Sequence, residues 1–106
     1  MLVDDILSAA GVPYRKTRFT KPQTGDYIVY NDSITTDGGD RELLLYRHSI
    51  SAELYTAKPS ADAEELLENA FASYGVHFDK QEAIWLQEEQ RYQVVYEFEY
   101  IEKRSV

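Results

Sequence analysis

The stretch YQVVYEFEYI, residues 92–101, sets Tyr92, Val94, Tyr96, Phe98 and Tyr100 on one parity and Gln93, Val95, Glu97, Glu99 and Ile101 on the other. Successive side chains of a strand point to opposite faces, so this alternation calls for a sheet with one buried face and one that meets water or a partner. The aromatic parity belongs to a core. Glu97 and Glu99 make the other side a candidate acidic face.

A second alternation runs through RELLLYRHSISAELYT, residues 41–56. Leu44, Tyr46, His48, Ile50, Ala52 and Leu54 share the parity expected to face the core. Asp26 to Tyr30, DYIVY, is a short β-rich run without strict alternation, which suits an interior strand. Tyr14 to Phe19, Val76 to Phe78 and Ala83 to Leu86 read as further extended pieces, with Pro22 and Gly25 as turn signals.

Two helices interrupt the strands. Leu2, Val3, Ile6, Leu7 and Ala10 recur at helical spacing, Asp4 and Asp5 suit the positive end of a helix dipole, and Gly11 stands at the C-cap. Ser60 offers an N-cap for a second helix, whose apolar stripe is Ala63, Leu66, Leu67, Ala70, Phe71 and Tyr74 and which Gly75 closes. The aromatic parity of 92–100 is expected to pack under Leu66, Leu67, Phe71 and Tyr74. The exits GVPYRK and GVHFDK are alike; internal duplication and independent capping chemistry both account for this. The pattern predicts an α+β fold, a mostly antiparallel β-sheet with two α-helices packed on one face.

The segment Asn31 to Asp40, NDSITTDGGD, is dense in turn formers and reads as a long mobile loop. Asn31, Asp32, Ser33, Asp37, Gly38, Gly39 and Asp40 are accordingly candidate interaction residues that would order on contact with a neighbour. Arg15, Lys16, Arg18 and Lys21 form a basic cluster, a docking stripe for an acidic surface or else a charge-protected edge strand.

A length of 106 residues allows one core, so a single domain spanning 1–106 is expected. The net charge of -8 is concentrated late: residues 60–106 hold 11 acids against 4 bases. That excess opposes nonspecific attraction to nucleic-acid phosphates, and it also serves solubility. The absence of cysteine excludes disulfides, thiolate metal sites and a cysteine nucleophile. With two aspartates where a secretory signal carries positive charge, and no apolar run of membrane-spanning length, an intracellular product without membrane contact is expected.

Enzymatic motifs are missing. His48 and His77 lack partners at metal-ligand spacing, and His48, on an apolar parity, reads as a satisfied or an edge histidine. No serine sits in a nucleophile elbow, and Asp37 to Asp40 matches neither a calcium loop nor a phosphate loop. The expectation is a non-enzyme with no catalytic, metal or cofactor residue.

Taken together, the ELYT strand end at Glu53 to Thr56, the acidic helix, the Gly75 to Phe78 exit, the closing YQVVYEFEY strand and the earlier DYIVY resemble the tail-completion proteins of long-tailed phages and prophages of Gram-positive bacteria. These are also described as tail-terminator or tail-to-head joining proteins. The resemblance covers most of residues 26–102. It implies a structural protein that assembles with itself as a ring, typically a hexamer, on the major tail tube protein and against the head-completion or connector protein. DNA would pass through that ring without specific binding, with Glu97 and Glu99 repelling phosphates where they face the channel. The place implied is the tail–head junction of the virion, and the host cytoplasm during assembly. The alternative is an acidic phage-encoded inhibitor that mimics DNA and binds a basic host protein; a small hydrolase stands behind both.

Overall fold

A computed structural model describes residues 2–19, 21, 23–38, 43–57 and 61–105. The elements in chain order are α1 (Leu2–Ala10), β1 (Tyr14–Lys16), β2 (Tyr27–Gly38), β3 (Leu43–Thr56), α2 (Ala61–Ser73), β4 (Asp79–Lys80), β5 (Ile84–Leu86) and β6 (Arg91–Ser105). They form a six-stranded sheet in the order β1-β2-β3-β6-β4, with β5 also paired to β6. Every pairing is antiparallel except β1 with β2. This is the α+β architecture that the alternations call for.

The register of β2, β3 and β6 stacks the core in rows. Ile28, Leu54 and Val94 form one row, Tyr30, Ala52 and Tyr96 the next, and Ile50 and Phe98 follow with Asp32 beside them. All but Asp32 are buried core residues, and Val3, Ile6, Leu7 and Ala10 of α1 with Ala63, Leu67, Ala70 and Phe71 of α2 complete the same cluster. Both helices therefore cover one face. Phe71 sits at the centre, its ring 4.8 Å from Phe78, 5.8 Å from Tyr96 and 5.1 Å from Phe98. Tyr96 is fully buried, and its hydroxyl donates to Glu68 at 2.9 Å, so the polar tip is satisfied.

The stripe of α2 is narrower than its spacing suggests, because Leu66 and Tyr74 are 50% and 45% exposed. Leu66 lies about a quarter turn from the centre of the buried stripe, and Tyr74 follows the last helical residue. Gly75 ends α2 with φ of +65°, Val76 N–H donating to Phe71 C=O and Gly75 N–H to Ala72 C=O. That double closure satisfies two terminal carbonyls and needs the left-handed conformation that glycine adopts freely. The strand expected at Val76 to Phe78 begins later, at Asp79; Phe78 instead turns its ring into the core.

The main correction concerns Asn31 to Asp40. Asn31 to Gly38 is not a loop but the second half of β2, paired residue for residue with Ser51 back to Leu44. Ile34, Thr35 and Thr36 are β-branched and fit a pleated surface, and the ladder to β3 overrides the turn-forming composition around them. Gly39 and Asp40 lie outside the described residues, as do Pro22 and the expected N-cap Ser60.

These strands set the shape of the molecule. At 14 residues, β3 spans roughly 46 Å, whereas α1 and α2 reach only about 14 and 20 Å. The protein is accordingly elongated, 50 × 27 × 21 Å. Past the row of Ile34, His48 and Tyr100, three strands run on as an extension built from 35–38, 43–47 and 101–105.

Candidate protein-interaction site

Where the covered sheet gives way to the extension, β2, β3 and β6 contribute one charged residue each. His48 Nδ1 lies 2.8 and 3.1 Å from the two carboxylate oxygens of Asp32, and Nε2 lies 2.9 Å from Glu102. Arg104 donates to the same Glu102 oxygen at 3.0 Å, and its guanidinium stands 4.1 Å over the Tyr46 ring. The imidazole stacks on Tyr100 at 4.4 Å and 3°. The side chains of His48 and Asp32 are 0% and 1% exposed.

This geometry selects the imidazolium. A neutral imidazole has one donor and one acceptor, and an acceptor nitrogen against a carboxylate is repulsive; with both nitrogens facing carboxylates, both must donate. Burial lowers the His48 pKa, but the hydrogen bonds to Glu102 and Asp32 outweigh it, and the net shift is upward. Glu102 is held below the usual carboxylate range, by Arg104 first and His48 second. His48 is thus a satisfied core histidine, as its parity implies, with no free nitrogen for a proton relay.

The pH dependence follows from the sign of that shift. A histidine whose folded pKa is raised contributes stability in full below its unfolded value, near 6.5, and loses it as pH rises through the folded value. The urea midpoint of the parent should therefore fall relative to that of His48→Gln as pH climbs above about 6.5. An NMR titration midpoint for His48 at or below that value would refute the assignment.

The opposite face of the sheet carries no helix. Its rows are Tyr27, Tyr55, Gln93; then Val29, Glu53, Val95; then Asn31, Ser51, Glu97; and on through Ser33, Ser49, Glu99 to Asp37, Leu45, Lys103. Glu97 and Glu99 are exposed there, as their parity implies, Glu97 accepting from Gln81 at 2.6 Å and Glu99 from Ser49 at 3.3 Å. Asp37 pairs with Arg47 at 3.3 Å on the same face. Asn31 and Ser33 are exposed on it, whereas Asp32 turns inward to His48. Asn31, Ser33 and Asp37 thus lie on one face of the strand and Asp32 on the other.

The basic cluster lies on and just after β1. Arg15 and Lys16 are exposed on this short strand, Arg15 donating to Tyr14 C=O at 2.8 Å with its guanidinium 5.6 Å from the Phe19 ring centre. Arg18 and Lys21 line a shallow groove of about 790 Å³ with Asn31, Tyr27, Tyr55 and Arg91. Tyr27 and Tyr55 stack at 4.9 Å, and Arg91 ties the groove wall to β6 by donating to the Gln23 and Thr24 carbonyls. Arg18 and Lys21 of the basic cluster therefore meet Asn31 in one groove, which Arg15 and Lys16 do not line. Glu97 and Glu99 lie outside it.

No family model matches the chain, and no curated protein does. Among solved structures, a chain of the virion of a native gene transfer agent particle is similar over 89% of this chain and 81% of that one, with a TM-score of 0.58 and 10% sequence identity. This protein shares the fold of that virion chain. At such identity the likeness lies in the arrangement of helices and strands, including enough of the chain to take in most of the sheet. Among the described residues no helix is long and apolar enough to cross a membrane, and no cluster of three or more His, Asp or Glu side chains is arranged to hold a metal ion.

The Asp32, His48, Glu102 chain escaped sequence reasoning because its members lie 16 and 54 residues apart. One signal was present: each continues the buried parity of its strand, Asp32 after Tyr30, His48 before Ile50 and Glu102 after Tyr100. A charged residue on a core parity needs a partner on the neighbouring strand.

Proposed function

We propose that this protein is a structural component of a phage-like virion, and that it caps the finished tail tube and joins it to the head connector as a ring through which DNA passes. The observation that carries this reading is the fold likeness to the gene transfer agent virion chain over 89% of the sequence. The tail-completion pattern of residues 26–102 narrows it from virion protein to tail end.

The surface is consistent with work done by shape and charge. A two-sided sheet extension gives a long surface for neighbours, and a rigid scaffold of paired strands positions it. The basic Arg15, Lys16, Arg18 and Lys21 and the acidic Glu97 and Glu99 give the two ends of the sheet opposite sign, which favours one orientation between copies. The partners in this reading are further copies of the chain, the tail tube protein and the connector, with DNA sliding through unbound and no bond-making by the protein itself.

Electron microscopy of particles produced without this gene tests the reading. Separate filled heads and unjoined tails are expected. Whole, infectious virions would end it.

A further inference from the structure

The extension has two open edges. β1 covers β2 only from Ile28 to Tyr30, Thr17 N–H adding a bond to Tyr30 C=O, and β4 and β5 cover β6 only as far as Glu97. Ile28 and Tyr30 turn their backbone groups toward β1, so by the two-residue period those of Asp32, Ile34 and Thr36 point the same way. Gln81 N–H donates to Val95 C=O on the far side of β6, so the backbone groups of Glu99, Ile101 and Lys103 point outward there. Among the described residues no strand pairs with either set.

An exposed edge is a template for another strand, and proteins blunt the edges they keep free with lysine, arginine or proline. β1 is blunted: Pro13, Arg15 and Lys16 stand along it, and Thr17 leaves at φ of +70°. The β2 edge from 31 to 38 has no lysine, arginine or proline, and exposes Ile34 at 47%. The β6 edge exposes Ile101 at 55%. The β2 edge is thus open, and the β6 edge, though it carries Lys103 and Arg104, is equally unpaired among the described residues.

We propose that the two edges belong to each other: residues 33–38 of β2 in one copy pair, in parallel, with residues 99–104 of β6 in the next copy. This rests on the reading of the chain as a ring-forming virion protein and names the contact that would close the ring. β2 and β6 are both antiparallel to β3, so they run the same way, and a sheet continued from one copy to the next sets them side by side in parallel. Carrying the internal rows straight across places Ser33 beside Glu99, Thr35 beside Ile101 and Asp37 beside Lys103. Parity is kept, so Ile34 meets Tyr100 on the inner face. No like charges fall opposite, and the single charged pair is complementary. Because the two edges differ, the contact is head to tail, the kind that repeats around a ring.

The absence of cysteine permits a direct test. Thr35 and Ile101 are exposed, so Thr35→Cys with Ile101→Cys leaves the core intact, and parallel neighbours fall within disulfide reach. Oxidation of this double variant, as concentrated purified chain and in assembled particles, should produce a ladder of covalent oligomers on a denaturing gel, with neither single variant doing so. Absence of the ladder from both preparations, while circular dichroism shows the variant folded, overturns the pairing. So does a dimer from Ile101→Cys alone, which would mean that β6 edges pair with one another. Particles that contain the protein but give no ladder would remove this contact and leave the joining function standing; infectious particles formed without the protein would remove that function, whatever the gel shows.

Discussion

Phe71→Ala will destabilise the protein by about 3–5 kcal/mol, the usual cost of emptying a buried aromatic site. The ring is fully buried and lies within 6 Å of three other rings, Phe78, Tyr96 and Phe98, that join α2, the segment before β4 and β6. None of these can collapse into the space without breaking another contact, because Tyr96 is held by its hydrogen bond to Glu68 and Phe98 by its place in the sheet. With total stability for a domain of this size on the order of 5–15 kcal/mol, the loss is a large share. Urea unfolding followed by circular dichroism measures it. A loss under about 1 kcal/mol would mean that α2 does not depend on this packing.

His48→Leu will cost a similar amount, about 3–5 kcal/mol near neutral pH, for an electrostatic reason. Leucine occupies much the same space but leaves the Asp32 carboxylate, 1% exposed, without its counter-charge. The carboxylate must then stay charged in an apolar site or take up a proton, and either route draws on folding free energy. Asp32→Leu in the same chain should recover much of the loss, since an apolar pair in place of a buried ion pair is often nearly neutral. The cycle of parent, two single variants and the double variant separates the coupling from the packing. Four chains of equal stability would show that the charges at this boundary hold nothing together.

These two predictions test opposite ends of the same sheet. Phe71 reports on rows covered by helices, where burial stabilises by removing apolar surface from water. His48 reports on the row where that cover ends and a polar chain across three strands takes over. Beyond it, Thr36, Tyr46 and Glu102 rely on strand pairing and on neighbours such as Arg104.

Much of the covered region was legible in the amino-acid order. Val3, Ile6, Leu7 and Ala10 announced one face of a helix, and Tyr92 to Tyr100 announced one face of a strand, because both periods follow from backbone geometry alone. His48 could be placed in the core from its parity. Asn31 to Gly38 could not be read as a strand, since six polar residues around one isoleucine resemble a loop until β3 is beside them. Sheet pairing is a long-range property, and local composition carries little of it.

The candidate surfaces divide in the same way. That Glu97 and Glu99 face away from the core follows from alternation. That Arg18 and Lys21 meet Asn31 in one groove depends on β1 pairing with β2, and that Asp32, His48 and Glu102 meet depends on a register spanning three strands. Periodicity determined which side of each element is buried, because it requires only the residue-to-residue geometry of the chain. Tertiary structure decided which elements stand side by side, how far the strands outrun the helices and which edges remain open, because those depend on pairing between residues that the chain itself holds far apart.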